Sequence, residues 1–111
     1  MSIYRPDSWQ LIKVNGALQP HYRVFGSWSG GYLDGDSWRM NSGIEKVELD
    51  GEYFLFHGSS GSIYYCHRHC YGIRSLYNSS VLTQYGGNDN IEILDDMPQD
   101  ILNFDWKATY A

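Results

Sequence analysis

Short apolar runs that alternate with polar residues, separated by clusters of Gly, Asn, Asp and Ser, fill the first two thirds of the chain. That two-residue period predicts strands. The run "WQLIKV" (9–14) is followed by Asn15-Gly16 and then by "ALQPHYRVF" (17–25), which predicts a hairpin with a two-residue turn. Pro20 has no N–H to give, so the second run is either an edge or begins properly at His21. The next hairpin is "IEKVEL", Asp50-Gly51, "EYFLFH", which pairs Leu49 with Glu52, Val47 with Phe54 and Glu45 with Phe56. Val47, Leu49, Phe54 and Phe56 then share a face, and that face should be core. The four-residue turn "GSSG" (58–61) leads into "SIYYCHRHC", setting Phe56 opposite Ile63, Phe54 opposite Tyr65 and Glu52 opposite His67.

Between these hairpins, "GSWSGGYLDGDSWRMNSG" (26–43) reads as a loop with a short strand at 37–40. After Gly72 the period changes. Ile73, Leu76, Tyr77, Ser80 and Val81 follow helical spacing, "NIEIL" (90–94) is a short strand, and "DDMPQDILNFDWK" (95–107) looks like a helix start. Asp96 would be its N-cap, Gln99 the capping-box partner and Pro98 a first-turn residue, with Met97, Ile101 and Phe104 as the buried stripe. The predicted fold is α+β but mainly β. It is a curved, half-barrel-like antiparallel meander of about five to seven strands, with one or two helices in the C-terminal third. A length of 111 residues suits a single domain spanning residues 1–111.

Composition supports strands, since aromatic residues make up 16% of the chain, including ten tyrosines and four tryptophans. Cys66 and Cys70 would stand roughly 13 Å apart along a strand, beyond disulfide reach, so both are expected as free thiols. The start "MSIYRPDSWQLIKV" has no apolar signal run, and no stretch approaches the ~20 apolar residues of a membrane helix. These features predict a soluble cytoplasmic protein with no membrane contact, in which the glycosylation pattern at Asn78-Ser79-Ser80 is accidental.

Charge changes the picture in one region. Residues 1–87 hold seven acids and seven bases, while residues 88–111 hold six acids and only Lys107, so the net charge of −5 arises entirely at the end. Asp89, Glu92, Asp95, Asp96, Asp100 and Asp105 oppose nucleic-acid binding and suit a protein partner with a basic surface, as for an accessory or inhibitory factor. The edge at 17–25 adds a possible homodimer contact.

Two clusters carry candidate chemistry. Trp28, Tyr32 and Trp38, beside Asp34, Asp36, Arg39 and Asn41, would offer flat rings and orienting polar groups to a small polar ligand such as a sugar. The alternative is that the tryptophans are core residues closing the sheet. In "CHRHC" (66–70), His67 and His69 point the same way on a strand, and Glu52 opposite His67 would complete a zinc site of two imidazoles and a carboxylate. A register slip of one residue dismantles that set. The alternative makes Cys66 a small buried hydrophobe and the histidines partly exposed strand residues, with no cofactor. No P-loop, nucleophile elbow, calcium loop or triad spacing is present, so catalysis is not expected.

Overall fold

The computed structural model describes residues 2–15, 20–31 and 35–106. Val47, Phe54 and Phe56 lie on one face of β5 (Ile44–Asp50) and β6 (Tyr53–Gly58), and all three are buried as the alternation predicts. The turn falls at Gly51-Glu52, because Asp50 pairs with Tyr53 and Leu49 with Phe54. Gly51 takes a φ of 59°, where a Cβ would be strained. Each pairing is two residues from the predicted one, and an even shift keeps every side chain on its face. Leu49, near the tip, remains half exposed.

The next connection differs by one residue, and that changes faces. β7 (Ile63–His67) pairs Phe56 with Tyr64 and Phe54 with Cys66, so Tyr64 and Cys66 enter the core. The connection spans 58–62, closed by Gly58 N–H donating to Ser62 O at 2.8 Å and by Ser60 N–H donating to Ser42 Oγ at 2.9 Å. β1 (Ile3–Tyr4) runs parallel to β7 and completes a sheet ordered β1-β7-β6-β5.

The second sheet is ordered β4-β3-β2-β8, from β2 (Ser8–Val14), β3 (His21–Gly31), β4 (Gly35–Met40) and β8 (Ile91–Leu94). Val14 pairs with His21, so the β2–β3 connection covers residues 15–20 instead of the two-residue Asn15-Gly16 turn. The strand begins after Pro20, the arrangement that its missing N–H favours. The first part of the 17–25 run lies outside the described residues. Over 21–25 the backbone edge is occupied: Tyr22 N–H donates to Trp106 O, while Val24 exchanges bonds with Asn41.

Among the described residues there are thus eight strands in two four-stranded sheets, where one curved sheet of five to seven strands was predicted. Trp9, Leu11 and Val24 of one sheet pack against Val47, Phe54, Phe56, Tyr64 and Cys66 of the other. Trp9 also ties β2 through its backbone to the segment that follows β7, donating N–H to Cys70 O and accepting from Gly72 N–H. On the outer face of the second sheet, Ile12 and Phe25 meet Leu82 of the helix α1 (Leu76–Gly86).

The helix occupies the expected place but presents a different face. Leu76 and Tyr77 are 89% and 62% exposed, and Asn78 and Leu82 are buried in their stead. Ser75 sets this rotation as N-cap. Its Oγ accepts from Asn78 N–H and donates to the Asp36 carboxylate on β4. Asn78 Nδ2 then reaches Ser27 Oγ at 2.8 Å and Ser37 O at 2.7 Å, so the glycosylation-like Asn78 is an internal anchor.

The second helix, predicted from Asp96, is replaced by turns over 99–103. Asn103 donates its side-chain N–H groups to the Asp100 carboxylate, the local bonding by which Asn and Asp compete with helix formation. Its apolar residues still find the core: Ile101 is buried, Met97 and Phe104 pack against the cluster, and Trp106 Nε1 donates to Ile101 O.

Candidate functional site

The edge strands β1 and β4 of the two sheets approach each other on one flank, through Tyr4 and its neighbours. Arg39 lies over the Tyr4 ring at 4.6 Å, and Tyr4 meets Trp28 edge-on at 6.4 Å and Tyr64 at 5.0 Å. A cleft of about 590 Å³ opens here, lined by Tyr4, Tyr64, Arg23, Arg39, Asn41 and the serine-rich segments around Ser42 and Ser60–Ser62. Its size falls in the range of small-ligand sites.

Local bonding fixes the walls. Asn41 follows β4 and is 2% exposed; its N–H donates to Val24 O at 3.0 Å and its Oδ1 accepts from Val24 N–H at 2.8 Å. Because the Val24 amide is a donor, the carboxamide orientation is determined. Nδ2 is buried and has no acceptor among the described residues. Ser42 Oγ accepts from both Ser59 Oγ and Ser60 N–H, tying the 58–62 turn to the end of β4. Arg23 Nε donates to His21 Nε2 at 2.9 Å, which holds the guanidinium by one edge.

Among the described residues that line it, the cleft is electrically one-sided, with two guanidinium groups and no Asp or Glu. Neither arginine forms an ion pair with a carboxylate among the described residues. Burial pushes the Tyr64 hydroxyl up to about 12, against the opposing pull of the Arg39 charge. Tyr64 is therefore a neutral hydroxyl in the physiological range.

A second hollow of about 350 Å³ shares Tyr4 and Arg39 and adds Trp28, Ser37 and Trp38. Three of the ligand-site residues predicted from sequence, Trp28, Trp38 and Arg39, therefore come together. Asp36 is directed instead to Ser75 at the helix cap, and Tyr32 and Asp34 lie outside the described residues. Trp38 is also a packing residue, stacked on Phe25 at 5.2 Å and edge-on to Tyr85. Trp28 is anchored by Nε1 donating to Arg5 O at 3.0 Å.

The histidine cluster is arranged differently from its expected register. Tyr53, not Glu52, faces His67, and Glu52 reaches His69 Nε2 at 3.3 Å from a turn beyond the strand. His67 Nδ1 accepts from the His69 N–H. Among the described residues no three His, Cys, Asp or Glu side chains converge as a metal-holding group. Cys66 is fully buried and Cys70 half-buried, both free, and burial drives the Cys66 thiol well above its ordinary value. "CHRHC" is thus the end of a core strand running into a turn.

Asp89, Glu92, Asp95, Asp96, Asp100 and Asp105 are all exposed. No helix among the described residues is long and apolar enough to cross a membrane. Tyr4, Arg23, Ser42, Ser60, Ser62 and Tyr64 were not singled out by sequence reasoning. The serines of "NSG" and "GSSG" read only as turn residues, and nothing local signals that they face Arg39. In comparisons with known proteins, the chain matches no family model, no curated protein and no solved structure.

Proposed function

We propose that the protein is a small-ligand binding module whose ligand lies in the flank cleft between β1 and β4, against Tyr4, Trp28 and Arg39. The observation that carries this reading is the gathering of Tyr4, Trp28, Tyr64 and Arg39 where the two sheet edges meet, around a cleft of about 590 Å³. Aromatic faces with a few fixed polar groups are the usual composition of small-molecule sites. Binding should change tryptophan emission, because Trp28 borders the hollow that shares Tyr4 and Arg39. A broad panel of sugars and metabolites, followed by fluorescence, tests this. The response should vanish in Trp28→Phe, whereas an unchanged response in that variant would place the ligand elsewhere.

A second reading has its own support, the uniform exposure of the six C-terminal carboxylates. In it, the segment from Asn88 to Asp105 binds a basic protein surface. Such a complex weakens as salt rises, since exposed charges are screened over about 10 Å at 0.1 M ionic strength. Pull-down at about 50 mM and about 500 mM salt, between which the screening length shortens about threefold, decides it. A partner held equally well at both is not recognised by this segment.

A further inference from the structure

Resting on the small-ligand reading, we infer that the cleft is selective for an oxyanion, so that its ligand carries a carboxylate or phosphate group seated between Arg39 and Arg23. Two features of different origin agree. The chain as a whole is acidic, with 13 Asp and Glu against 8 Lys and Arg, yet the described residues lining this cleft include two arginines and no acid. Both guanidinium groups lack a carboxylate partner among the described residues, so their charge is available at the cleft.

The rest of the wall fits the same occupant. The hydroxyls of Ser42, Ser60 and Ser62 can turn to donate, and Tyr64 stays protonated as a further neutral hydroxyl. Arg39 lies over the Tyr4 ring at 4.6 Å, and a guanidinium carries its N–H donors in a fork suited to two oxygens. Tyr4 and Trp28 extend past the arginine into the adjoining hollow, leaving a surface for a ring attached to the anionic group. The protein's net charge of −5 disfavours long polyanions at distance, so the class is a small oxyanionic metabolite and not a nucleic acid.

The test pairs compounds that share a ring and differ in charge: glucose with glucose 6-phosphate, and benzyl alcohol with benzoate. Inorganic phosphate serves as the bare anion. Calorimetry and tryptophan emission report binding to the full chain. Within at least one pair the anionic member should bind about tenfold or more tightly, the difference expected of charge-assisted hydrogen bonds. Arg39→Gln should remove that preference while leaving the melting temperature in place, since Arg39 is exposed, and Arg39→Lys should restore part of it. The phosphate and carboxylate arms distinguish the two kinds of anion. Equal affinity within both pairs, or an anion preference that survives Arg39→Gln, overturns the oxyanion seat while leaving the ligand cleft standing. Silence from every compound with folded protein overturns both.

Discussion

Trp9→Ala is expected to lower the melting temperature by about 15–25 °C, the consequence of a loss of roughly 3–5 kcal/mol in a domain of this size. Trp9 has no exposed surface and touches both sheets: its ring meets Phe54 at 6.3 Å, Phe56 at 5.2 Å and Tyr71 at 4.8 Å. Truncation leaves a cavity among rings that cannot close over it, because each is fixed by a paired strand or by another aromatic contact. The indole also donates Nε1–H to His67 O at 2.8 Å, bonding the second sheet to the last residue of β7. Trp9→Phe keeps most of the ring volume and loses that bond while His67 O still accepts from Cys70 N–H, so it should cost less, about 0.5–1.5 kcal/mol. Thermal unfolding followed by near-ultraviolet circular dichroism separates the two variants. A Trp9→Ala shift below about 5 °C would mean that the sheets are held mainly by contacts elsewhere.

The second large effect is alkaline. Burial raises Tyr64 and Tyr71 from 10.0 to about 12, and drives the Cys66 thiol well above 9.0. In the unfolded chain these groups lose their protons at their ordinary values, while the folded protein keeps them. Above the unfolded values the native state therefore binds more protons, and stability falls as pH rises. The contribution is fully present below about pH 9 and is lost between about pH 9 and 12, with the two tyrosines giving a slope of up to about 3 kcal/mol per pH unit near pH 11. Tyr71 is structurally informative because its hydroxyl donates to Leu94 O at 2.7 Å and accepts from Leu11 N–H at 3.2 Å, stitching β2 to β8. Tyr71→Phe should lower stability at neutral pH and make the alkaline slope shallower by about 1.4 kcal/mol per pH unit. Denaturant titrations at pH 8, 10 and 11.5 measure both. A flat profile would show that these hydroxyls are solvated.

Much of the fold is legible from local pattern, and the misreadings have local causes too. The Val47, Phe54 and Phe56 face survived a turn in the wrong place because the pairing moved by two residues. The same alternation gave the wrong face for β7, since one further residue in the 58–62 connection sends Tyr64 and Cys66 inward. That extra residue is held by Ser42, which lies 18 positions from Ser60 in sequence. Helical spacing placed α1 but not its buried face. Asn78 and Leu82 point inward because Ser75 binds Asp36 and Asn78 binds Ser27 and Ser37, contacts between distant segments. At 96–106 the apolar residues were identified as core while the helix was not formed.

The candidate site divides in the same way. Trp28, Trp38 and Arg39 stand out in the sequence by residue type within one glycine-rich stretch, and they do gather around a hollow. The cleft beside it draws on Tyr4, Arg23, Asn41, Ser42, Ser60 and Tyr64, contributed by β1, β3, β7 and two connections. The sequence by itself determined what alternation, composition and turn chemistry encode: a mainly β chain, the core face of the β5–β6 hairpin, the free thiols and an acidic, exposed end. The tertiary structure alone decided strand register, the division into two sheets and the parallel docking of β1 on β7. These depend on hydrogen bonds and packing between residues far apart in the chain, and a site formed where two sheet edges meet has no pattern within any one segment.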